Sequence, residues 1–192
     1  MAIKKPCWGG VSELAIEKEV KARIPSMLRG KVESLIRTIC RESGTIMQED
    51  IYFSHPSRDF AVSDEALRVR VEQSGENKRA ILTYKGPREK AAVKAREEIN
   101  ISIKEDEWKN LIRLLKKLGF KEKAVVRKKR VEFDCEWFKA CIDSVDELGL
   151  FLELELVEGE EKELLSLLQL LGLEKYVEEK TYLELLLEKK SG

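Results

Sequence analysis

The sequence is nearly without histidine and has few cysteines. It contains one histidine, His55, and four cysteines, none of them in a C-x-x-C pair. These residues cannot form a credible zinc site. We expect reduced thiols with structural roles. Cys135 and Cys141 lie near one predicted hairpin, but a disulfide between them is disfavoured in a reducing compartment.

The chain also lacks an excess of either charge and any long apolar run. Its 36 basic and 36 acidic residues cancel, which disfavours broad electrostatic attraction to nucleic acid or to an anionic membrane. No stretch of about 18 apolar residues is present, and no apolar segment follows Lys4 and Lys5. We therefore expect a cytoplasmic protein with no nucleic-acid and no membrane partner.

The length of 192 residues suits one domain with a short appendage. We predict an N-terminal extension over residues 1–13 and a single domain over residues 14–190. The charged fraction is 38%, against about 25% in a typical globular protein. What these charges do is therefore the main question that the sequence poses.

Period-two alternation predicts an α+β fold with a mostly antiparallel sheet. The predicted strands are 14–24, 45–53, 67–71, 79–85, 94–103, 120–133, 138–145 and 149–157. Turn residues separate them, and four amphipathic segments predict helices. The predicted helices are 26–40, 105–118, 160–171 and 181–189.

The polar faces of these strands carry formal charges at i and i+2. Arg68 and Arg70 oppose an apolar face, as do Glu153 and Glu155. Such faces are usually solvated. However, the apolar stripes of the helices must pack on the apolar sheet faces, so a sheet that closes would turn its charges inward. Because burying unpaired ions is costly, a polyanion with divalent metal ions is the occupant that best fits such a tunnel.

An ordered series of motifs resembles the CYTH superfamily, the triphosphate tunnel metalloenzymes, and within it the class IV adenylyl cyclases. The resemblance spans roughly residues 14–187. It rests on Glu17-x-Glu19-x-Lys21, Asp50-Ile51-Tyr52-Phe53, Leu67-Arg68-Val69-Arg70, Thr83-Tyr84-Lys85-Gly86-Pro87, Arg96-Glu97-Glu98, Lys128-x-Arg130, Ile142-Asp143-Ser144, Glu153-x-Glu155 and Lys180-Thr181-Tyr182.

The resemblance implies an eight-stranded antiparallel tunnel, with helices outside it, that binds a triphosphate together with Mg²⁺ or Mn²⁺. The implied phosphate-binding residues are Lys21, Arg68, Arg70, Lys85, Lys128, Arg130 and Lys180. The implied metal ligands are Glu17, Glu19, Asp143, Glu153 and Glu155, and Lys21 and Asp143 are the implied catalytic residues. Arg96, Glu98 and Tyr182 would support the site. For Tyr182, packing among neighbouring leucines is the alternative role.

Three functions agree with these residues. The first is an adenylyl cyclase that converts ATP to cyclic AMP and pyrophosphate. The second is a hydrolase of thiamine triphosphate or inorganic tripolyphosphate. The third is a non-catalytic module that binds a nucleotide or polyphosphate, although such a module would not need the acidic residues. The leucine-rich run at 164–173 is typical of a core or of a seam between two copies, so a homodimer is an alternative to a monomer.

Overall fold

A computed structural model of the chain describes residues 15–87 and 94–192, with side chains described over 18–87 and 97–192. The extension predicted over residues 1–13 lies outside the described residues. Within the described ranges, the elements follow the predicted order from the first strand to the last helix.

Eight strands and four helices form the described chain. The strands are β1 (Ala15–Arg23), β2 (Arg41–Ser54), β3 (Ala66–Ser74), β4 (Asn77–Lys85), β5 (Lys94–Ile103), β6 (Lys121–Asp134), β7 (Phe138–Val145) and β8 (Gly149–Leu156). The helices are α1 (Arg29–Ile39), α2 (Trp108–Lys117), α3 (Glu161–Leu171) and α4 (Tyr182–Ser191). None of the helices in these ranges is long and apolar enough to span a bilayer.

The strands form one antiparallel sheet that closes on itself. Their order is β1-β5-β4-β3-β2-β6-β7-β8, and β8 pairs with β1. The predicted α+β fold with an eight-stranded antiparallel tunnel is confirmed. Because side chains alternate across a strand, closure gives every strand an inner and an outer face.

The main apolar core lies outside the barrel, between the sheet and two helices. Val20, Leu152 and Leu154 project outward and are buried with Ile36 of α1 and Leu168 of α3. The helices can bury their apolar stripes only on these outer faces. The residues that alternate with the core residues must therefore point into the barrel, and these are the charged ones.

Helix α4 packs across one end of the barrel. Thr181 caps it by accepting a hydrogen bond from the main-chain N–H of Glu184, and the Glu184 side chain returns the contact to the N–H of Thr181. This capping box fixes the start of the helix. The buried Tyr182 consequently packs against Phe151 of β8 and Tyr52 of β2.

The expectation of reduced cysteines was wrong for one pair, because Cys40 and Cys135 form a disulfide. Arg41 and Asp134 are partners in the β2–β6 ladder, so Cys40, which precedes Arg41, lies beside Cys135, which follows Asp134. The Cα atoms of the two cysteines are 4.5 Å apart, within the range of a disulfide. Cys141, the other cysteine of the described chain, is free.

The disulfide should stabilise the fold because it closes a long loop in the unfolded chain. The sequence separation of the two cysteines is 95, and cross-links of this kind typically contribute about 2–4 kcal/mol. We expect Cys135→Ser to lower the free energy of unfolding by this amount in urea titrations. Cys141→Ser is the control and should change it by less than about 1 kcal/mol. Equal effects of the two variants would contradict the prediction.

Candidate active site

The barrel encloses a charged cavity of about 340 Å³. Among the described residues, its lining holds seven basic and four acidic side chains from seven of the eight strands. The bases are Lys21, Arg68, Arg70, Lys85, Lys128, Arg130 and Lys139, and the acids are Glu19, Glu98, Glu153 and Glu155. The positive excess suits a compact polyanion.

One side of the cavity is built around Asp143 of β7, which is fully buried. Arg130 of β6 donates from Nε to Asp143 Oδ1 at 2.7 Å and from Nη2 to Oδ2 at 2.6 Å. Lys128 Nζ and the Tyr182 hydroxyl donate to the same Oδ2 at 2.7 and 3.0 Å. Arg130 also contacts Glu153 of β8. Asp143 therefore lies behind the cavity and holds basic groups that line it.

Charge compensation decides the protonation of this group of residues. Burial alone would raise the pKa of Asp143, but Lys128 and Arg130 outweigh it and hold that pKa below its usual value. The same balance holds the pKa of Glu153 well below normal. Burial, reinforced by Arg130, lowers the pKa of Lys128. Both carboxyl groups are thus anionic at neutral pH.

A second carboxylate, Asp50 of β2, plays a similar part on the other side of β6 from Asp143. Arg70 donates from Nε and Nη2 to its two oxygens at 2.6 and 2.7 Å, and Arg68 Nη1 donates at 3.2 Å. Arg68 Nε, in contrast, is buried without a hydrogen-bond partner. A buried donor of this kind is costly to leave unsatisfied.

Asp50 was not among the expected site residues, although the alternation of β2 indicates its position. Asp50 alternates with Ile51 and Phe53, which pack in the outer core. Parity therefore places Asp50 on the inner face of β2. It is 1% exposed, and burial would raise its pKa, but Arg70 and Arg68 lower the pKa far below normal.

Helix α4 contributes to the site through Tyr182 and the residue before its cap. The Tyr182 ring lies 4.3 Å from Lys21 Nζ and 4.8 Å from Lys128 Nζ, which are cation–π distances. Lys21 Nζ also donates to the main-chain carbonyl of Lys180. Tyr182 therefore packs in the apolar cluster, as the alternative held, and also contacts charged residues of the site.

Two predicted basic residues have different placements. Lys85 lines the cavity and pairs with Glu98. Lys180, which the resemblance put among the phosphate ligands, points elsewhere, because its Nζ pairs with Glu188 at 2.8 Å and it does not line the cavity. Lys180 precedes the cap residue Thr181, and its main-chain carbonyl accepts from Lys21 while its side chain is directed to Glu188.

The remaining predicted residues lie in part outside the described side chains. The backbones of Glu17 and Arg96 are opposite one another in the β1–β5 ladder, but their side chains are not among those described. Glu19, Glu153 and Glu155 all line the cavity. Glu19 and Glu155 are cross-strand partners, which places two like charges on neighbouring strands.

The acidic residues fit a divalent metal ion that shares its ligands with phosphate. No group of three or more histidine, cysteine or acidic side chains in the described residues is arranged to hold a metal. Mg²⁺ commonly uses only one or two carboxylates together with substrate phosphates. Glu19 and Glu155 supply such a pair, because a cation between them would offset the repulsion of directly opposed like charges. Glu153, two residues from Glu155 on the same face, is the third candidate.

Comparison with known proteins agrees with this architecture. The family described as CYTH domain matches residues 15–183. The chain belongs to the CYTH family. A Methanocaldococcus jannaschii protein named "putative adenylate cyclase" is 39% identical over 178 residues, which cover 88% of this chain and 98% of that protein.

Solved structures show the same fold. The PH1819 protein of Pyrococcus horikoshii is 36% identical with a TM-score of 0.81, and the match covers 90% of this CYTH chain and 99% of that one. A "putative adenylyl cyclase" from Hippeastrum, described as having a dominant triphosphatase activity, has a TM-score of 0.63 at 18% identity. That match covers 82% of this chain and 88% of the Hippeastrum protein and shows the fold alone.

The buried carboxylates should make the fold sensitive to acid. A group whose pKa is lower in the folded state stabilises the fold above its unfolded pKa and loses that contribution as the pH falls through the folded pKa. The unfolded pKa of aspartate is about 3.9. We therefore expect the free energy of unfolding, measured in urea, to fall as the pH drops below about 4.

Asp143→Asn should weaken this pH dependence, because the substituted side chain no longer takes up a proton. Glu49→Gln is the control, since Glu49 pairs with Arg127 among exposed side chains. It should keep the wild-type slope of unfolding free energy against pH. A slope in Asp143→Asn as steep as that of the wild type would contradict the prediction.

Proposed function

We propose that this CYTH protein is a divalent-metal-dependent enzyme acting on a triphosphate bound in the barrel, and that it is a class IV adenylyl cyclase converting ATP to cyclic AMP and pyrophosphate. The observation that carries the proposal is the convergence of basic side chains from different strands on one cavity. Arg68 and Arg70 of β3 and Lys128 and Arg130 of β6 all line it, and these two strands flank β2 in the barrel. Neutralising and positioning the phosphates is most of what phosphoryl and nucleotidyl transfer require.

The chain's residues would act by binding and orientation. The arginine forks bind phosphate oxygens in two-point contacts, and Lys21 and Lys85 add point charges. In the proposed reaction the ribose 3′-oxygen bonds to the α-phosphorus, the bond from that phosphorus to the pyrophosphate oxygen breaks, and the hydroxyl proton is released. A fixed array of cations would favour this step because negative charge accumulates on the departing pyrophosphate.

A divalent ion held by Glu19 and Glu155, with Glu153, would neutralise phosphate charge and make the attacking hydroxyl more acidic. We propose Mg²⁺ or Mn²⁺, since hard cations prefer carboxylate and phosphate oxygens. The name of the Methanocaldococcus jannaschii relative supports the cyclase over other triphosphate chemistry, because that protein is matched over nearly its whole length.

Hydrolysis of the terminal phosphate is the second candidate, and the composition of the cavity favours it. Ile81, Cys141 and the rings of the two tyrosines are the apolar parts of the described lining. Every other described lining side chain is charged or carries a hydroxyl or amide group. Such a lining offers little apolar surface to a nucleobase. It suits inorganic tripolyphosphate, or the triphosphate part of thiamine triphosphate.

Product analysis separates these functions. The purified protein would be incubated with ATP, tripolyphosphate and thiamine triphosphate, each with Mg²⁺ or Mn²⁺. We expect cyclic AMP and pyrophosphate from ATP, measured by chromatography. Orthophosphate as the main product would establish the hydrolase instead. Saturable binding without product would identify a non-catalytic module, and absence of binding would overturn the site.

The metal assignment has its own test. Glu155→Gln should raise the Mg²⁺ concentration needed for half-maximal turnover by at least about tenfold, a loss seen even when supporting groups of metal sites are changed. Glu158→Gln is the control, because Glu158 is exposed three residues further along the chain. It should leave that concentration unchanged. An unchanged metal requirement in Glu155→Gln would remove this residue from the metal site.

A further inference from the structure

Two parts of the barrel repeat one arrangement of charged groups. Asp50 of β2 is the register partner of Arg70 of β3, and Asp143 of β7 is the register partner of Arg130 of β6. In both pairs the arginine donates from Nε to Oδ1 and from Nη2 to Oδ2, at 2.6–2.7 Å in every case. The two contacts are geometrically the same.

The repetition extends to a second base. The residue two positions before each arginine donates to Oδ2 of the same aspartate, at 3.2 Å from Arg68 and 2.7 Å from Lys128. We call Asp50, Arg68 and Arg70 the β3 clasp, and Asp143, Lys128 and Arg130 the β6 clasp. All four bases line the cavity, but neither aspartate does.

Each aspartate leaves part of its arginine available to a ligand. A guanidinium has five N–H donors in a planar fork, and the aspartate takes one from Nε and one from Nη2. The plane of the fork is thereby fixed, while the aspartate leaves Nη1 to other partners; in Arg70 this atom lies 4.0 Å from Glu72 Oε1, beyond hydrogen-bond distance. An arginine side chain that is not held in this way has considerable rotamer freedom, part of which binding would have to remove.

Asp143 has little acceptor capacity left for a metal ion, because its Oδ2 receives three hydrogen bonds and its Oδ1 receives one. An ionised carboxylate accepts about four hydrogen bonds. Asp143 already receives four, two from Arg130 and one each from Lys128 and Tyr182. This occupancy disagrees with the metal-ligand role that the family resemblance implied for Asp143, whereas Glu19 and Glu155 lie opposite one another.

We propose that Asp50 and Asp143 are equivalent positioning residues, each holding an arginine fork and a second base in place to bind the triphosphate, and that neither is a metal ligand. The inference rests on the proposed function, since it concerns how the same cavity binds its substrate. It adds Asp50 to the site and moves Asp143 from the metal ligands to the positioning residues.

Metal-free binding distinguishes this role from the others. A carboxylate that only neutralises charge, or that only binds metal, repels a polyanion when no metal is present. Its removal would then tighten tripolyphosphate binding or leave it unchanged. Removal of a positioning carboxylate should weaken binding in spite of the gain in positive charge, so the two roles predict opposite signs.

The experiment is calorimetric titration of the full chain with tripolyphosphate in EDTA. We expect Asp50→Asn and Asp143→Asn each to raise the dissociation constant by about tenfold or more. Glu49→Gln is the matched control for Asp50, because it removes the same charge from the adjacent residue on the outer face of β2. It should alter the constant by less than about twofold.

A second pair of variants tests the same contact if the melting curve of an aspartate variant shows that it does not fold. Arg70→Lys and Arg130→Lys keep every charge but cannot make the two-point contact. We expect the same loss of affinity. In Arg70→Lys, the further change Asp50→Asn should then cost much less than it does alone, because the contact is already gone.

The outcomes separate this inference from the proposed function. Suppose that the wild type binds tripolyphosphate normally. If an aspartate variant, or the arginine-to-lysine variant of the same clasp, then binds as tightly or more tightly, the positioning role of that clasp is overturned and the proposed function stays intact. No metal-free binding of tripolyphosphate by the wild type overturns the inference and removes the main support for the proposed function. Weaker binding in both clasps, with the Glu49→Gln control unaffected, establishes the inference.

Discussion

The structure depends on the compensation of charges that the barrel buries. The core requires the apolar faces of the strands to meet the helices, so the charged faces are enclosed. An unpaired ion in such an interior loses several kcal/mol of hydration. Asp50, Asp143 and Glu98 each contact a base of the cavity. With Asp50 and Asp143 added to the four acids of the lining, six described acids stand against seven bases, so the buried charges are nearly balanced within the barrel itself.

Much of this arrangement follows from the sequence because the side-chain period of a strand is exactly two. Arg68 and Arg70, or Glu153 and Glu155, share a face whatever the rest of the chain does. The helices then decide which face turns inward. The resemblance to the CYTH superfamily added the closure of eight antiparallel strands into a tunnel, which alternation by itself does not establish.

What the sequence does not determine is the partner of each charge. Asp50 meets Arg70, and Cys40 meets Cys135, because of the register between strands that are far apart in the chain. Lys180 shows a second limit. Its place in a basic motif suggested a phosphate ligand, yet the cap of α4 turns its carbonyl toward Lys21 and its side chain to Glu188.

The acids of the cavity consequently divide into two classes with different physical requirements. Asp50 accepts three hydrogen bonds and Asp143 accepts four, so both are compensated before any ligand arrives. Glu19 and Glu155 are cross-strand partners on β1 and β8, so a cation bound between them would offset the repulsion of two like charges. In the proposed function, a triphosphate would supply further ligands for that cation and would occupy the arginine forks at the same time. Metal and substrate binding should therefore reinforce one another, because each completes the coordination that the other lacks.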